Sequence, residues 1–329
     1  MGRSIAANAF TFLIVAFLAL GGLFAWGQGQ FRNPGPVAED TVFEVPKGAN
    51  LTKVAEALET EGLISSGPVF RIGARYTKRD NKLKFGEYLI PQGASMDEIL
   101  DILTSGKSIQ YFITLPEGLY TSEIIARIEA NPDLTGEIEE IPPEGMMAPD
   151  TYSFQRGDTR QSVVDRMVKA QQKILDEAWA NRAPDLPLES KQELLILASI
   201  VESEAGGAGE WAKVASVFYN RLEKGMRLEA DATLRYGLTM GKERLRRGLF
   251  QSELDKETPY NTYMIPALTP TPISNPGREA IFATANPEKT PYFFFVLDGS
   301  GGHAFAVTYK EHQRNVAAWR AIERERAGN

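Results

Sequence analysis

Glu202 closes an unusually apolar stretch of the chain, and its surroundings could make its carboxyl group chemically active. Between residues 194 and 201 the stretch SKQELLILASIVESEAGG has one hydroxyl, Ser199, among apolar side chains. A carboxyl group held against apolar surface has its charged form disfavoured, so its pKa rises and it can carry a proton near neutral pH, as a general acid must. The alternative is a helix that ends at the surface with Glu202 and Glu204 solvated. Because structural glutamates greatly outnumber catalytic ones, the local sequence by itself favours that alternative.

A buried helix must position this carboxyl group. Ser190 and Glu193 have the spacing of a capping box, in which each side chain satisfies a backbone donor at the helix start, so the helix is expected to begin directly after Ser190. The apolar residues that follow cover every face, which predicts that the helix lies inside a domain. Gly206 and Gly207 are expected to stop it.

Composition excludes several classes of function. A chain of 329 residues is longer than the usual domain of about 100–200, so two or three units with their own cores are expected. A net charge of −7 argues against a nucleic-acid partner, which would require a basic face. The chain has no cysteine, and its only histidines are His303 and His312, so we predict neither a metal site nor a cofactor.

The first 40 residues resemble a membrane anchor and a linker. The uncharged run AFTFLIVAFLALGGLFAW, residues 9–26, approaches the roughly 20 residues needed to cross a bilayer. Arg3 precedes it, which by the positive-inside tendency leaves a short tail in the cytoplasm and sends the remainder across. A cleaved signal peptide is the competing interpretation, but the run exceeds the usual core of about 7–15 residues and no clear A-x-A site follows it. We therefore predict a cytoplasmic tail and anchor over 1–27 and a Gly- and Pro-rich extended linker over 28–40.

Residues 41–107 predict a small α/β module. TVFEV alternates as a strand does, and KFGEYLI is typical of a second strand. Between them, Asn50 and Ser66 can cap two helices. Ser95 with Glu98 then forms a capping box for a further helix. This layout resembles the LysM-like module of cell-wall-binding proteins. Residues 108–145 predict a connecting α+β unit, with strand SIQYFITL, helix YTSEIIARIEAN and the turn PEGLY treated as a loop between them.

The larger domain is predicted over residues 146–329, and the fold class is α+β. It begins with the strand pattern APDTYSF and the amphipathic helix SVVDRMVKAQQKILDEAWAN, and the glutamate helix is followed by the helix GEWAKVASVFYNRLEKG. Residues 226–275 are rich in Pro, Tyr, Asn and Thr with little periodicity, which is typical of a binding surface or lid. A short helix, a hairpin around DGSGGHAF and a terminal helix complete it.

Five ordered segments together carry a family resemblance. ASIVESEAG, KVASVFYNRLEKGMRLEADATLRYG, PYNTY, PISNPG and GGHAFAVTYKEHQRNV resemble the YceG-like endolytic murein transglycosylases, the MltG family. The anchor and the LysM-like region precede these segments, as in that family. Two motifs depart from the family pattern, around Asp231 and in ALTPTPI, so we expect the substrate groove to differ in shape. The altered positions are Glu229, Ala230, Ala232, Ala267 and Thr271.

The resemblance implies an enzyme of the bacterial inner membrane that faces the periplasm. It would cut nascent glycan strands between N-acetylmuramic acid and N-acetylglucosamine, leave 1,6-anhydro ends and so limit glycan length, with cell-wall synthases as candidate partners. It also implies that Glu202 is the catalytic acid and then the base. A hydrolase would need a second carboxylate, for which Asp231, Asp150 and Glu204 are available. Of these Asp231 lies in a family motif and could orient substrate, or could only cap a turn.

Other residues are candidates for binding the sugars. Tyr260, Asn261, Tyr263 and Asn275 offer flat rings and amides suited to sugar faces and N-acetyl groups. Asn220 could bind substrate or hold two helices together, and His303, on a glycine-rich turn, could line the groove or be structural. A non-catalytic wall-binding scaffold and a muramidase-type hydrolase are the two alternative functions.

Overall fold

A computed structural model describes residues 2–205 and 209–327 of the chain. The predicted helix stop at Gly206 and Gly207 therefore lies outside the described residues. The chain divides into two compact units, Met1–Tyr111 and Phe112–Asn329.

The first unit combines one long helix with a small body of two strands and three helices. Its elements are α1 (Gly2–Arg32), β1 (Thr41–Val45), α2 (Leu51–Thr60), α3 (Gly67–Tyr76), β2 (Gly86–Ile90) and α4 (Met96–Ser105). β1 and β2 pair antiparallel with Phe43 opposite Tyr88, and both rings are buried in the core of this unit. The order strand, helix, helix, strand is the predicted one, while its identification as a LysM-like module stays a prediction.

Helix caps explain why these elements begin where they do. The side chains of Asn50, Ser66 and Ser95 each accept a hydrogen bond from the backbone N–H three residues later. Ser95 and Glu98 form the complete predicted capping box. Each such cap is worth about 1 kcal/mol because it satisfies a donor that the helix itself leaves unpaired.

The predicted extended linker over 28–40 is wrong in its first part. α1 continues to Arg32, and both Phe31 and Val37 are buried in the core of the first unit. Each of Gly27 and Gly29 weakens a helix by roughly 1 kcal/mol. Burial of the Phe31 side chain contributes about 1.5–3 kcal/mol and offsets that loss, so the helix extends into the folded body. Within α1 the stretch Ala9–Arg32 is long and apolar enough to cross a membrane.

The second unit is a mixed helical and β assembly, in agreement with the predicted α+β class. Its elements are β3 (Tyr111–Leu115, whose first residue belongs to the first unit), α5 (Thr121–Glu129), β4 (Asp150–Phe154), α6 (Arg160–Ala180), α7 (Lys191–Glu204), α8 (Trp211–Glu223), α9 (Asp231–Thr239), α10 (Gln251–Leu254), α11 (Arg278–Ala285), β5 (Phe294–Leu297), β6 (His303–Ala306) and α12 (Tyr309–Ala327). β3 pairs with β4, and β5 pairs antiparallel with β6.

Residues 112–145 do not stand apart as a connecting unit. β3 pairs with β4, which lies beyond the predicted boundary at residue 145, and the Thr121 N–H donates to the Glu144 carboxylate at 2.8 Å. A lone strand leaves its backbone groups unpaired, so β3 joins the unit that holds its partner strand.

α7 lies at the centre of the second unit. All residues from 194 to 201 are buried, and α6, α8, α9 and α11 pack around the helix, as its uniformly apolar sequence predicts. The predicted capping box is half formed. Ser190 accepts from the Glu193 N–H, but the Glu193 carboxylate accepts from the Glu189 N–H instead of from Ser190.

Candidate active site

The Glu202 side chain lies at a cavity of about 450 Å³ in the second unit. Among the site residues predicted from the sequence, Glu202 alone lines it. The lining residues are Glu117, Gly118, Leu119, Tyr120, Glu202, Ser203, Ala232, Arg235, Arg244 and Ile273. They come from five separate stretches of chain, so the cavity is a product of tertiary packing.

Glu202 has the properties that the sequence predicts for its carboxyl group. It is half-buried in the last turn of α7, and its Oε2 accepts a hydrogen bond from the Gly277 N–H at 3.1 Å. Burial raises its pKa to about 7, the Gly277 bond opposes that rise, and the negative charge of Glu117 adds to it. A substantial fraction of the protein therefore carries a proton on Glu202 at neutral pH.

The segment 273–277 is hydrogen-bonded along the face of α7 that carries Glu202. The Ser199 hydroxyl accepts from the Ile273 N–H at 3.0 Å, and the Ser274 hydroxyl donates to the Ser199 carbonyl at 3.1 Å. The Gly277 N–H then reaches Glu202. The hydroxyl of Ser199, the single one in the buried part of α7, thus helps to hold the segment 273–277 in position next to the Glu202 carboxyl group.

A tight turn at Glu117 and Gly118 forms the opposite wall. Gly118 has φ +70°, a conformation that residues with a Cβ rarely adopt, and a Cβ at this position would touch the Glu202 side chain. Its N–H donates to the Asn275 carbonyl at 2.9 Å, and its carbonyl accepts from Arg244 Nη2 at 2.6 Å. The turn is therefore fixed on both sides before any ligand binds.

Glu117 is the main site residue that sequence reasoning missed. Its Oε1 occupies the space that a side chain at Gly277 would need, so Glu117 and Glu202 flank the same backbone position. Desolvation raises the pKa of Glu117, and the charges of Glu279 and Asp150 raise it further. The available signal was the turn PEGLY between a predicted strand and a predicted helix, since loops held by rigid elements often carry function.

Two of the amides predicted to bind substrate make hydrogen bonds within the protein. Asn261 is fully buried, and its Nδ2 donates to three backbone carbonyls, the shortest at 2.7 Å. Asn275 is also fully buried, and its side chain bonds to backbone or side-chain atoms of Leu119, Thr121, Glu144 and Met147. An irregular segment leaves many backbone groups unpaired, and an asparagine amide can satisfy several of them at once.

Asn220 and His303 also have structural roles. Asn220 Nδ2 donates to the carbonyls of Thr290 and Tyr292 at 2.9 and 2.8 Å, which holds α8 to the segment before β5. His303 Nδ1 lies 2.7 Å from the Glu210 carboxylate, and its side chain is only 5% exposed. Neither residue is among those that line the cavity at Glu202.

Asp231, Tyr263 and Tyr260 lie near the cavity but outside its lining. Asp231 opens α9 and accepts from the Tyr263 hydroxyl at 2.7 Å, while its helix neighbour Arg235 lines the cavity. A row of rings runs from the lining residue Tyr120 through Tyr236 to the half-buried Tyr260, with centroid separations of 5.5 and 5.3 Å. These side chains could contact the outer parts of an extended ligand.

Glu204 faces away from Glu202, toward the start of α9. Its Oε1 accepts from the Ala232 N–H at 3.1 Å, which supplies the first turn of α9 with an acceptor that its own cap residue, Ala230, cannot provide. Burial raises the pKa of Glu204 to about 7 as well. A raised pKa alone therefore does not distinguish the two glutamates, whereas access to the cavity does.

The remaining altered motif positions fall in the same region. Thr271 Oγ1 lies 2.9 Å from the Tyr260 hydroxyl, Ala267 is exposed, and Glu229 pairs with the buried Arg221 at 2.9 Å. The substituted Ala232 itself lines the cavity.

The arrangement suits proton transfer to and from a polar polymer. One partly buried carboxyl group with a pKa near neutrality opens onto a cavity that also holds a second carboxylate and two arginines. Besides the carboxylates and arginines, the lining contains the aromatic ring of Tyr120, and such rings can pack against sugar faces.

Comparison with known proteins gives consistent matches over most of the chain. The model of the YceG-like family matches residues 43–318. The chain is 29% identical over 330 residues to an endolytic murein transglycosylase of Bacillus subtilis, with 90% of each chain covered. It is 28% identical to an endolytic murein transglycosylase of Streptococcus pneumoniae, over 94% of this chain and 65% of that protein's length.

A solved structure agrees with the sequence matches. The crystal structure of a YceG-like protein from Listeria monocytogenes superposes with a TM-score of 0.52 at 27% identity, covering 84% of this chain and 99% of that one. The family model spans well over half of the chain and includes the whole Glu202 cavity. The protein therefore belongs to the YceG-like family.

Proposed function

We propose that this protein is an endolytic peptidoglycan transglycosylase with Glu202 as its catalytic residue. Family membership and the names of the curated relatives support the reaction class. The observation that carries the assignment to Glu202 is its carboxyl group at the cavity, with a pKa of about 7 and a single backbone donor. The substrate is then a glycan strand, cut between N-acetylmuramic acid and N-acetylglucosamine.

Glu202 acts first as the acid in this proposal. Its proton passes to the glycosidic oxygen as the bond between that oxygen and C1 of the muramic acid breaks, which releases the N-acetylglucosamine end as an alcohol. The carboxylate left behind keeps the hydrogen bond from the Gly277 N–H. Positive charge that develops on the sugar ring is stabilised by this carboxylate and by that of Glu117 in its ionised form.

Glu202 then acts as the base. Its carboxylate removes the proton from the C6 hydroxyl of the same muramic acid, and the C6 oxygen bonds to C1 to close the 1,6-anhydro ring. Glu202 has regained its proton, no water is consumed, and no bond to the protein is formed. One carboxyl group in two protonation states is sufficient, and a pKa near neutrality suits both steps.

Glu117 favours a second candidate function, a muramidase-type hydrolase. Hydrolases use two carboxyl groups about 5–9.5 Å apart, and Glu117 and Glu202 flank Gly277 in one cavity. The products separate the two reactions, because hydrolysis adds the mass of one water to the new end.

Mass spectrometry of the products tests the reaction class. We expect the full-length protein in detergent, incubated with unlabelled glycan strands in H₂¹⁸O, to release fragments that end in anhydro sugars and contain no ¹⁸O. Reducing ends that carry ¹⁸O would establish hydrolysis instead. Binding of strands without any new chain ends would support the non-catalytic scaffold.

The pH profile tests the interaction between the two carboxyl groups. Since Glu202 must be protonated to start the reaction, kcat/KM should fall as pH rises above about 7. A neighbouring negative charge favours the protonated form, so removing it in Glu117→Gln lowers the pKa of Glu202 and moves this alkaline limb to lower pH. The exposed Glu223→Gln on α8 is the matched control and should leave the limb in place. A limb that Glu117→Gln does not move would contradict the electrostatic coupling.

The N-terminal helix supports a proposal for the site of action. We propose that α1 is a single-pass anchor in the bacterial inner membrane and that the second unit acts in the periplasm, where nascent strands are made. The length and apolar composition of Ala9–Arg32 support an anchor. Cell-wall synthases, which produce such strands, are the partners this placement favours.

A further inference from the structure

The apolar helix α1 enters the folded body of the first unit without a break. Phe31 on its last turn is 6% exposed and belongs to the core of this unit. The ring lies directly against Gly73 of α3, where a Cβ would collide with it. Arg32 then approaches Asp97 of α4, at 3.9 Å. The end of the anchor and the folded body are therefore one packed structure, with α3 fixed beside α1.

α3 runs antiparallel to α1, toward the membrane-spanning segment. Gly73 meets Phe31, and one turn later the ring of Tyr76 lies 6.1 Å from that of Phe24, seven residues back along α1. At 1.5 Å per residue those seven residues are about 10 Å of helix. The carboxyl end of α3 is therefore the part of the folded body nearest to the middle of the apolar run.

The spanning segment is long enough to bring this contact to bilayer depth. Residues 4–31 contain no charged side chain. A hydrocarbon layer of about 30 Å takes roughly 20 helical residues, so a span that starts at Ala9 reaches Gln28. Phe24 then lies within the layer near its far edge, and Tyr76, which packs on it, lies at the same level.

The surface at this level is apolar and open. Ile72 and Tyr76 on α3 are 67% and 68% exposed, and with Leu20, Leu23 and Phe24 of α1 they border a groove of about 430 Å³. Exposed apolar patches of this kind mark interaction sites. Arg75 and Lys78, which neighbour the lining residues Tyr76 and Thr77 in the sequence, are exposed, and cations there would meet lipid phosphates.

We propose that the carboxyl half of α3 and the adjoining face of α1 bind membrane phospholipid. An acyl chain lies in the groove against Ile72 and Phe24, and Tyr76 occupies the interface, where tyrosine is enriched in membrane proteins. Two observations select lipid as the occupant: the groove continues the surface of the spanning helix, and the one charged residue among those that line it, Arg32, is positive. The first unit then rests on the bilayer instead of extending from it on a free linker.

Single-cysteine labelling tests this contact, because the natural chain has no cysteine. Ile72→Cys in the full-length protein is labelled with an environment-sensitive fluorophore and reconstituted into vesicles of phosphatidylcholine and phosphatidylglycerol. Val42→Cys, on β1 of the same unit and 50% exposed, is the matched control. Both side chains are at the surface, so neither substitution disturbs the core.

The labels at positions 72 and 42 should respond differently to a quencher in the lipid and to one in the water. Phospholipid brominated on the acyl chain should quench the label at 72 several-fold more strongly than the label at 42, and aqueous iodide should show the reverse order. Equal quenching of the two labels by brominated lipid, or free access of iodide to position 72, would overturn the proposal. The proposal rests on α1 as the proposed membrane anchor, but its readout does not depend on enzymatic activity, so it stands or fails separately from the proposed reaction.

Discussion

Glu202→Gln is expected to abolish the release of anhydro-ended fragments while leaving the protein folded. An amide can neither give the glycosidic oxygen a proton nor take one from the C6 hydroxyl, so both steps of the proposed cycle are lost. General acid–base catalysis contributes typically about 10²- to 10⁴-fold, and one group that serves in both steps should cost at least the upper part of that range. The measurement is the rate of new chain ends under single-turnover conditions.

The fold should tolerate this change. Glutamine has the shape of glutamate, and its amide oxygen can still accept from the Gly277 N–H. Among the residues that the structure describes, Glu202 has no salt-bridge partner to lose. Glu223→Gln, an exposed change in the same unit, should retain full activity. Sedimentation of Glu202→Gln with glycan strands should be unchanged. Near-wild-type turnover by this variant would eliminate Glu202 as the catalytic residue.

Asn275→Ala is expected to lower the free energy of unfolding of the second unit by on the order of 3 kcal/mol, taking about 1–3 kcal/mol for each buried group left without its partner. The Asn275 Oδ1 accepts from the Met147 N–H at 3.0 Å, and its Nδ2 donates to Glu144 at 2.9 Å. Alanine leaves that N–H without an acceptor and the carboxylate without one of its donors. The loosened turn at Gly118 should also reduce activity.

Tryptophan fluorescence during urea unfolding measures this loss. Trp179 and Trp211 both pack against the core of the second unit and report on its transition. Asn286→Ala, at an exposed position, is the control and should change stability by less than about 0.5 kcal/mol. If Asn275→Ala is as stable as that control, the side chain is not the structural centre of the site, and its originally predicted contact with sugar regains support.

Local interactions explain the success of the predicted elements. Asn50, Ser66, Ser95 and Ser190 each cap the helix that follows them, and a cap is read from residues within one turn of each other. The prediction of an extended linker was wrong because the helix there depends on a distant contact and not on its neighbours in the sequence. GQGQF is a poor helical sequence on its own, and only the packing of Phe31 against α3 makes it helical.

Polar residues of the irregular segment were the least predictable part of the site. Asn261 and Asn275 have the residue type that binds N-acetyl groups, and they also have the type that satisfies loop carbonyls. Which role applies depends on burial, and both amides are fully buried. Glu117, on a turn that looked like a simple connection, is instead the second carboxyl group of the cavity.

The apolar helix that carries Glu202 was evident in one run of residues, while that run left open whether its carboxyl group is buried or solvated. The helix arises from neighbours within a few helical turns, so it can be derived before the fold is known. The cavity could not be derived in this way, because the Gly277 donor lies 75 residues further along the chain and the wall at Glu117 belongs to another element. Contacts over such separations are set by how whole elements pack. Tertiary structure thus distinguishes Glu202 from Glu204, although the two have similar pKa values. Glu202 lines a cavity, whereas Glu204 accepts a hydrogen bond at the start of α9.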